Sequence, residues 1–228
     1  MKGLRSIVAV VVLGLAVHAF ASWQVDVTTS SGSLFKPSSP ATTTQVPFVI
    51  NTFGPFFAPA SATVSSLPQV TFLTNSGTPH PILTGDGTHF TGGTYTATYS
   101  ITGPTLTGFN FVLSGFVQDL GQIIWSKKVV NLDNSQVLYN GSGFFSGDGY
   151  AGGSDGNVGF NIFVPIAPAT RVQVIETFIV HIDGAPAPGP STAALLFVEQ
   201  DWVPEPASML VLGSGLAGLM ALRRRNRK

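Results

Sequence analysis

An all-β fold, an antiparallel β-sandwich or jelly-roll-like domain, is what this 228-residue sequence predicts. Three observations lead there. From residue 22 to residue 202, short segments alternate apolar and polar side chains with period two, the mark of half-buried strands. Glycine (26) and proline (16) are frequent enough to end such segments in tight turns. No helical period lies between them, so no crossover helices are at hand to cover a parallel sheet. Cysteine is absent. That removes the inter-sheet disulfide of antibody-type domains and any thiolate chemistry, and leaves the fold to its core.

The elements follow in chain order. Met1 to Ala21 reads as a cleavable signal peptide. Lys2 and Arg5 form its positive start and Ile7 to Val17 its apolar core; Ala19 and Ala21 are the small residues before a cut at Ser22. Trp23 to Thr29 alternates as a first strand, and Ser30 to Thr44 is a Ser/Thr/Pro/Gly loop. Gln45 to Asn51 is a strand that Pro47 places at a sheet edge. Thr52 to Pro68 reads as loop, Gln69 to Thr74 as strand, and Asn75 to Gly93 as polar loop. Thr94 to Thr102 is the clearest strand. Thr94, Thr96, Thr98, Ser100 and Thr102 share one face; Tyr95, Ala97, Tyr99 and Ile101 share the other. Gly103-Pro104 ends it.

Phe109 to Gln118 and Gln122 to Val130 flank the turn Asp119-Leu120-Gly121, so an antiparallel hairpin is expected. Gln136 to Asn140 is a short strand and Gly141 to Gly159 a glycine-rich loop. Val158 to Val164 and Arg171 to Asp183 are strands. In the second, Glu176 interrupts an apolar face of Val172, Val174, Phe178, Val180 and Ile182; a bulge or a paired inward Glu would resolve this. Ala185 to Pro190 is a turn or short linker, and Thr192 to Trp202 a last strand.

Charge is uneven. Residues 22–203 hold ten acids against four bases (Lys36, Lys127, Lys128, Arg171), so the exported part is acidic and carries no nucleic-acid footprint. Five of the eleven basic residues follow Leu222. Before them, Ala207 to Leu222 is uncharged and long enough, at about 24 Å, to cross a thinned bilayer as one helix. Arg223, Arg224 and Arg225 would stop it on the cytoplasmic side. Ahead of it stands Pro204-Glu205-Pro206.

This order of triplet, apolar helix and arginine cluster resembles the PEP-CTERM sorting signal of exported bacterial surface proteins, a tail that also travels under an "ice-binding protein C-terminal" label. The resemblance covers residues 203–228 and nothing else. It implies that Pro204, Glu205 and Pro206 are read by exosortase, a membrane-embedded protease. It further implies a host that makes exopolysaccharide, a second partner by association. The chain thus divides into a signal peptide (1–21), an all-β exported domain (22–202) and a sorting signal (203–228). The precursor is expected in the inner membrane with its β domain outside, and the product at the cell surface or in the matrix.

The domain itself carries weak chemical signals. Gly152-Gly-Ser154-Asp-Gly156 spells G-x-S-x-G, but a glycine run before it and a strand after it are not a nucleophile elbow. Glu176 and His181, the acid and base such a serine would need, fall on opposite faces of one strand. His80, Asp86 and His89 lie in one loop at spacings that match no zinc pattern. Asp148 and Asp155 could offer oxygens to Ca²⁺, outside any known loop repeat. The threonine row could order ice-like water. Trp23, Trp125, Trp202 and Tyr139 could stack on sugar if exposed. Solvent-facing threonines and core aromatics explain these residues as well. The expectation is therefore a non-enzymatic surface or matrix protein with no cofactor and no metal. A polysaccharide-binding module, Ca-dependent or not, is the alternative, and a secreted hydrolase comes third.

Overall fold

The computed structural model describes residues 22–36, 39–44, 48–51, 61–64, 67–72, 82–84, 92–182 and 191–205. They form one antiparallel sheet of eleven strands, and no helix occurs among them. The strands are β1 (Trp23–Lys36), β2 (Ser39–Thr44), β3 (Phe48–Asn51), β4 (Ser61–Val64), β5 (Gln69–Phe72), β6 (Ile82–Thr84), β7 (Gly92–Gln118), β8 (Gly121–Asn131), β9 (Val137–Ser146), β10 (Gly156–Ile182) and β11 (Thr192–Pro204).

Two 27-residue strands, β7 and β10, pair on both sides of a break near their middle and organise the rest. The first half of β7 also pairs with β1, and the second half with β11. The second half of β10 also pairs with β8, which pairs in turn with β9. Both long strands change direction near the same level. Residues 103–105 of β7 have no ladder partner, and the β7–β10 register shifts between Pro165, Ala169 and Arg171. Prolines donate no ladder hydrogen bond, which suits them to such a corner.

The sheet thereby doubles over. A first layer holds β9, β8, the end of β10, the start of β7, and β1. A second layer holds the start of β10, the end of β7, β11, β5 and β3. The apolar phases that alternation predicts face each other across the gap. Tyr99, Ile101, Val172, Val174, Phe178 and Val180 come from the first layer; Phe109, Phe111, Leu113, Val198 and Trp202 come from the second. Phe109 packs on Trp202 with ring centroids 4.9 Å apart, and Phe111 meets Trp125 edge-on at 5.5 Å. Aromatic pairs in such geometry add roughly 0.5–1.5 kcal/mol each beyond the area they bury.

Several sequence expectations change. The strands expected at 94–102 and 109–118 are one, because Gly103-Pro104 bends β7 without ending it; 158–164 and 171–183 likewise merge into β10. Gly103 is the close-approach position of that corner, since a Cβ there would overlap the buried Trp23 ring. The hairpin expected between 109–118 and 122–130 does not form. Both edges of that half of β7 are taken by β10 and β11, so β8 crosses to the other layer after a turn with Asp119 at φ 51°. Residues 30–36, 39–44, 61–64 and 82–84, expected in loops, are paired strand. The glycine-rich loop shrinks to 147–155, because β9 runs on to Ser146. Among the described residues β3 ends the strand order, as the edge reading of this segment expects; Pro47 itself lies outside them.

Candidate functional site

Two places concentrate chemistry. One is the junction between domain and tail. The other is a polar cluster at the centre of the core.

At the junction, β11 runs straight into the Pro-Glu-Pro triplet. Trp202 is buried, Val203 pairs with Gly108 and Pro204 with Leu106. The Glu205 N–H donates to the Thr105 carbonyl at 2.8 Å, and Thr107 Oγ1 donates to the Pro204 carbonyl at 3.4 Å. The Glu205 side chain is exposed. The triplet therefore begins flush with the folded domain, at the corner of β7. Ser22 is described and exposed. Pro206, Ala19, Ala21, the helix expected at 207–222 and Arg223, Arg224 and Arg225 lie outside the described residues. Among the described residues no helix is long and apolar enough to cross a membrane.

In the core, Glu176 does face inward. The ladder around it is regular, so of the two possibilities left open by the sequence, the paired Glu is the one that occurs. Its cross-strand neighbour on β8 is Lys127, whose Nζ donates to Glu176 Oε1. The other carboxylate oxygen, Oε2, accepts from Gln200 Nε2 of the opposite layer at 3.3 Å. Gln200 Oε1 in turn accepts from the Tyr99 hydroxyl at 3.1 Å. The Trp202 indole N–H faces that hydroxyl without reaching good hydrogen-bond geometry. All four polar residues are buried. Lys127 Nζ also lies 4.6 Å and 4.5 Å from the ring centres of Phe109 and Phe111, against their electron-rich faces.

Burial sets the protonation of this cluster. It pushes the Glu176 carboxyl above the usual carboxylate range, against the pull of the Lys127 charge. It pushes the Lys127 ammonium below its usual range, against the attraction of Glu176. Tyr99 is raised well above an ordinary phenol by burial and then by the Glu176 charge. A charged pair in such surroundings is costly, and proton transfer to a neutral amine and a neutral acid relieves it.

The other sequence candidates separate. Ser154 is exposed, its N–H donates to the Ser146 carbonyl at 3.0 Å, and a strand follows it. Glu176 serves Lys127 and points away from His181. Asp155 Oδ1 accepts from the backbone N–H groups of Asp148 at 2.9 Å and Asp119 at 2.8 Å, which hold its carboxyl below the usual range. It ties two turns together by this route. His80, Asp86 and His89 lie outside the described residues, and no metal-ligating cluster occurs among the described ones. Trp23 and Trp202 are buried; Trp125 and Tyr139 pack onto the core.

The threonine face of β7 points outward as expected, and register extends it sideways. Thr96, Thr177, Ser126 and Ser142 are successive cross-strand partners over four strands. Beside this row stands Phe144, 66% exposed. Sequence reading missed Lys127 and Gln200. Their signal was present: Lys127 is in phase with Ile123 and Val129, and Gln200 with Val198 and Trp202.

Residues 203–225 match the PEP-CTERM protein-sorting motif. The chain therefore carries a PEP-CTERM sorting motif at these residues, and the motif implies export and processing by exosortase, a membrane protein. No curated protein matches the sequence. Among solved structures, the chain is similar to the enzymatically active domain of bacteriophage CBA120 tailspike protein 4 (8% identity, TM-score 0.31, 75% of this chain and 19% of that one). It is also similar to infectious bursal disease virus Gx strain (12%, TM-score 0.31, 82% and 56%). A third similarity is to a carbohydrate-binding module of the β-sandwich superfamily (12%, TM-score 0.24, 80% and 97%). The chain spans well under two thirds of the first two, and scores this low carry no argument about function.

Proposed function

We propose that this is an exported cell-surface or extracellular-matrix protein of sandwich type. Residues 1–21 direct export. A helix over 207–222, closed by Arg223, Arg224 and Arg225, then holds the precursor in the inner membrane with the β domain outside. The observation that carries the reading is the sorting motif set directly on the last strand, so that an exosortase meets the folded domain at the membrane surface. The domain acts as structural cargo, without catalysis. Fractionation and intact-mass analysis of the protein from its host, with and without exosortase, tests this. The expected product starts at Ser22, ends near Pro204–Pro206 and reaches the surface or matrix only when the protease is present. A full-length tail retained in the inner membrane in both strains would sink the sorting reading.

A second reading has one observation in its favour: exposed Phe144 beside the four-strand hydroxyl row is an amphipathic surface of the kind that stacks on and hydrogen-bonds to sugar. This would make the domain an exopolysaccharide-binding module. A glycan array on the mature species tests it; binding abolished by Phe144→Ala would favour it, and no retained glycan would discard it.

A further inference from the structure

We propose that Lys127 and Gln200 condense to an isopeptide bond across the core, with Glu176 as the proton carrier and Tyr99 as the hydrogen-bond donor to the reacting carbonyl. Four placements carry this. The nucleophile nitrogen, Lys127 Nζ, and the leaving nitrogen, Gln200 Nε2, sit on the two oxygens of one carboxylate. The carbonyl oxygen of the same amide, Gln200 Oε1, accepts from the Tyr99 hydroxyl at 3.1 Å. All the participants are fully or almost fully buried, in a site lined by Phe109, Phe111 and Trp202. The reacting pair comes from facing layers, β8 and β11, so their approach is fixed once the domain folds.

The step balances without any further reactant. Lys127 first passes a proton to Glu176, which burial favours. The neutral Nζ attacks Cδ of Gln200, and the carbonyl electron pair moves onto Oε1, where the Tyr99 O–H stabilises the developing charge. The Glu176 acid gives its proton to Nε2 and takes one back from the attacking nitrogen. The Cδ–Nε2 bond breaks and ammonia leaves. The new Nζ–Cδ amide remains, and Glu176 ends as the neutral acid. Attack of an amine on an unactivated amide is slow in water. Here it is intramolecular, dry and held in place, the conditions under which such steps gain most. The consequence suits a cysteine-free exported domain: a covalent staple between the layers, on the strand that carries the sorting motif.

The test is peptide mapping by tandem mass spectrometry of the full protein purified from its host. The expected result is a branched peptide joining the Lys127 and Gln200 segments, lighter than the two together by one ammonia. The Glu176→Gln variant, with folding checked by circular dichroism, should give the two segments unlinked. Tyr99→Phe, which leaves the charged pair in place, should slow linkage after synthesis by on the order of a hundredfold. Unlinked segments in the folded wild type overturn the proposal, and so does ammonia loss without the branch. A branch from Lys127 to Glu176 with loss of water overturns the assignment to Gln200. Linkage at wild-type speed in folded Glu176→Gln removes Glu176 from its role.

Discussion

The two faces of the first layer carry polar residues under opposite rules. Outward, hydroxyls follow one another across four strands, and water can satisfy whatever the neighbouring strand does not. Inward, Lys127, Glu176, Gln200 and Tyr99 stand among Phe109, Phe111 and Trp202, where each polar atom depends on a named partner. The same alternation of the same strands produces both faces. The difference teaches that a polar residue's cost is set by which side of the sheet it falls on, and by whether the facing layer brings a partner.

The largest expected effects break the inner face. Trp202→Ala should cost about 3–5 kcal/mol in urea unfolding, since it opens a cavity against Phe109. Glu176→Leu should cost about as much, roughly 3–5 kcal/mol, because it strands a buried Lys127. The comparison is cleanest in a Gln200→Met background, where no amide can be attacked. There, adding Lys127→Met to Glu176→Leu should recover the loss and even exceed the starting stability, by up to about 1–4 kcal/mol. Equal losses in the single and double variants would show that packing, and not the unpaired charge, sets the cost.

Smaller effects sharpen the contrast. Gly103→Ala should cost about 1–3 kcal/mol, as the buried Trp23 ring must move to admit a methyl group. The raised Glu176 carboxyl predicts a pH dependence. Its folded value exceeds its unfolded one, so its contribution is complete below the ordinary carboxylate value of about 4 and is lost as pH rises through the folded value. In the Gln200→Met background, where no staple can form, urea midpoints across that window should fall relative to the same background carrying Glu176→Gln; a difference that stays constant with pH contradicts the assignment. At the small end, Thr96→Ala on the outer face should stay within about 0.5 kcal/mol in the same unfolding assay.

Much of this was legible in order along the chain, less of it in space. The alternation of Thr94 to Ile101 and of Val172 to Ile182 correctly separated inner from outer residues, because period two is a local property of a strand. Glu176 was flagged as an inward acid for the same reason. Lys127 obeyed the same phase, yet a lysine in alternation with Ile123 and Val129 reads as a surface residue until its partner is known. Gly103-Pro104 read as a stop, since these residues end most strands; here β10 pairs with β7 on both sides of the corner, while on the other edge β1 gives way to β11. The hairpin expectation failed because a turn such as Asp119-Leu120 brings two strands near each other without deciding which edges are already filled.

The sequence by itself determined that the protein is all-β, that it lacks cysteine, and that residues 203–225 carry a sorting motif. Those features depend on composition, local period and a contiguous motif, all of which survive in one dimension. Only the tertiary structure decided that β7 and β10 each serve both layers, that the sorting triplet begins flush with the domain, and that Lys127, Glu176, Gln200 and Tyr99 meet. Register and the folding of one sheet over itself are long-range choices. They are set by which edges pair and which apolar faces close, and no short stretch of sequence holds both halves of such a choice.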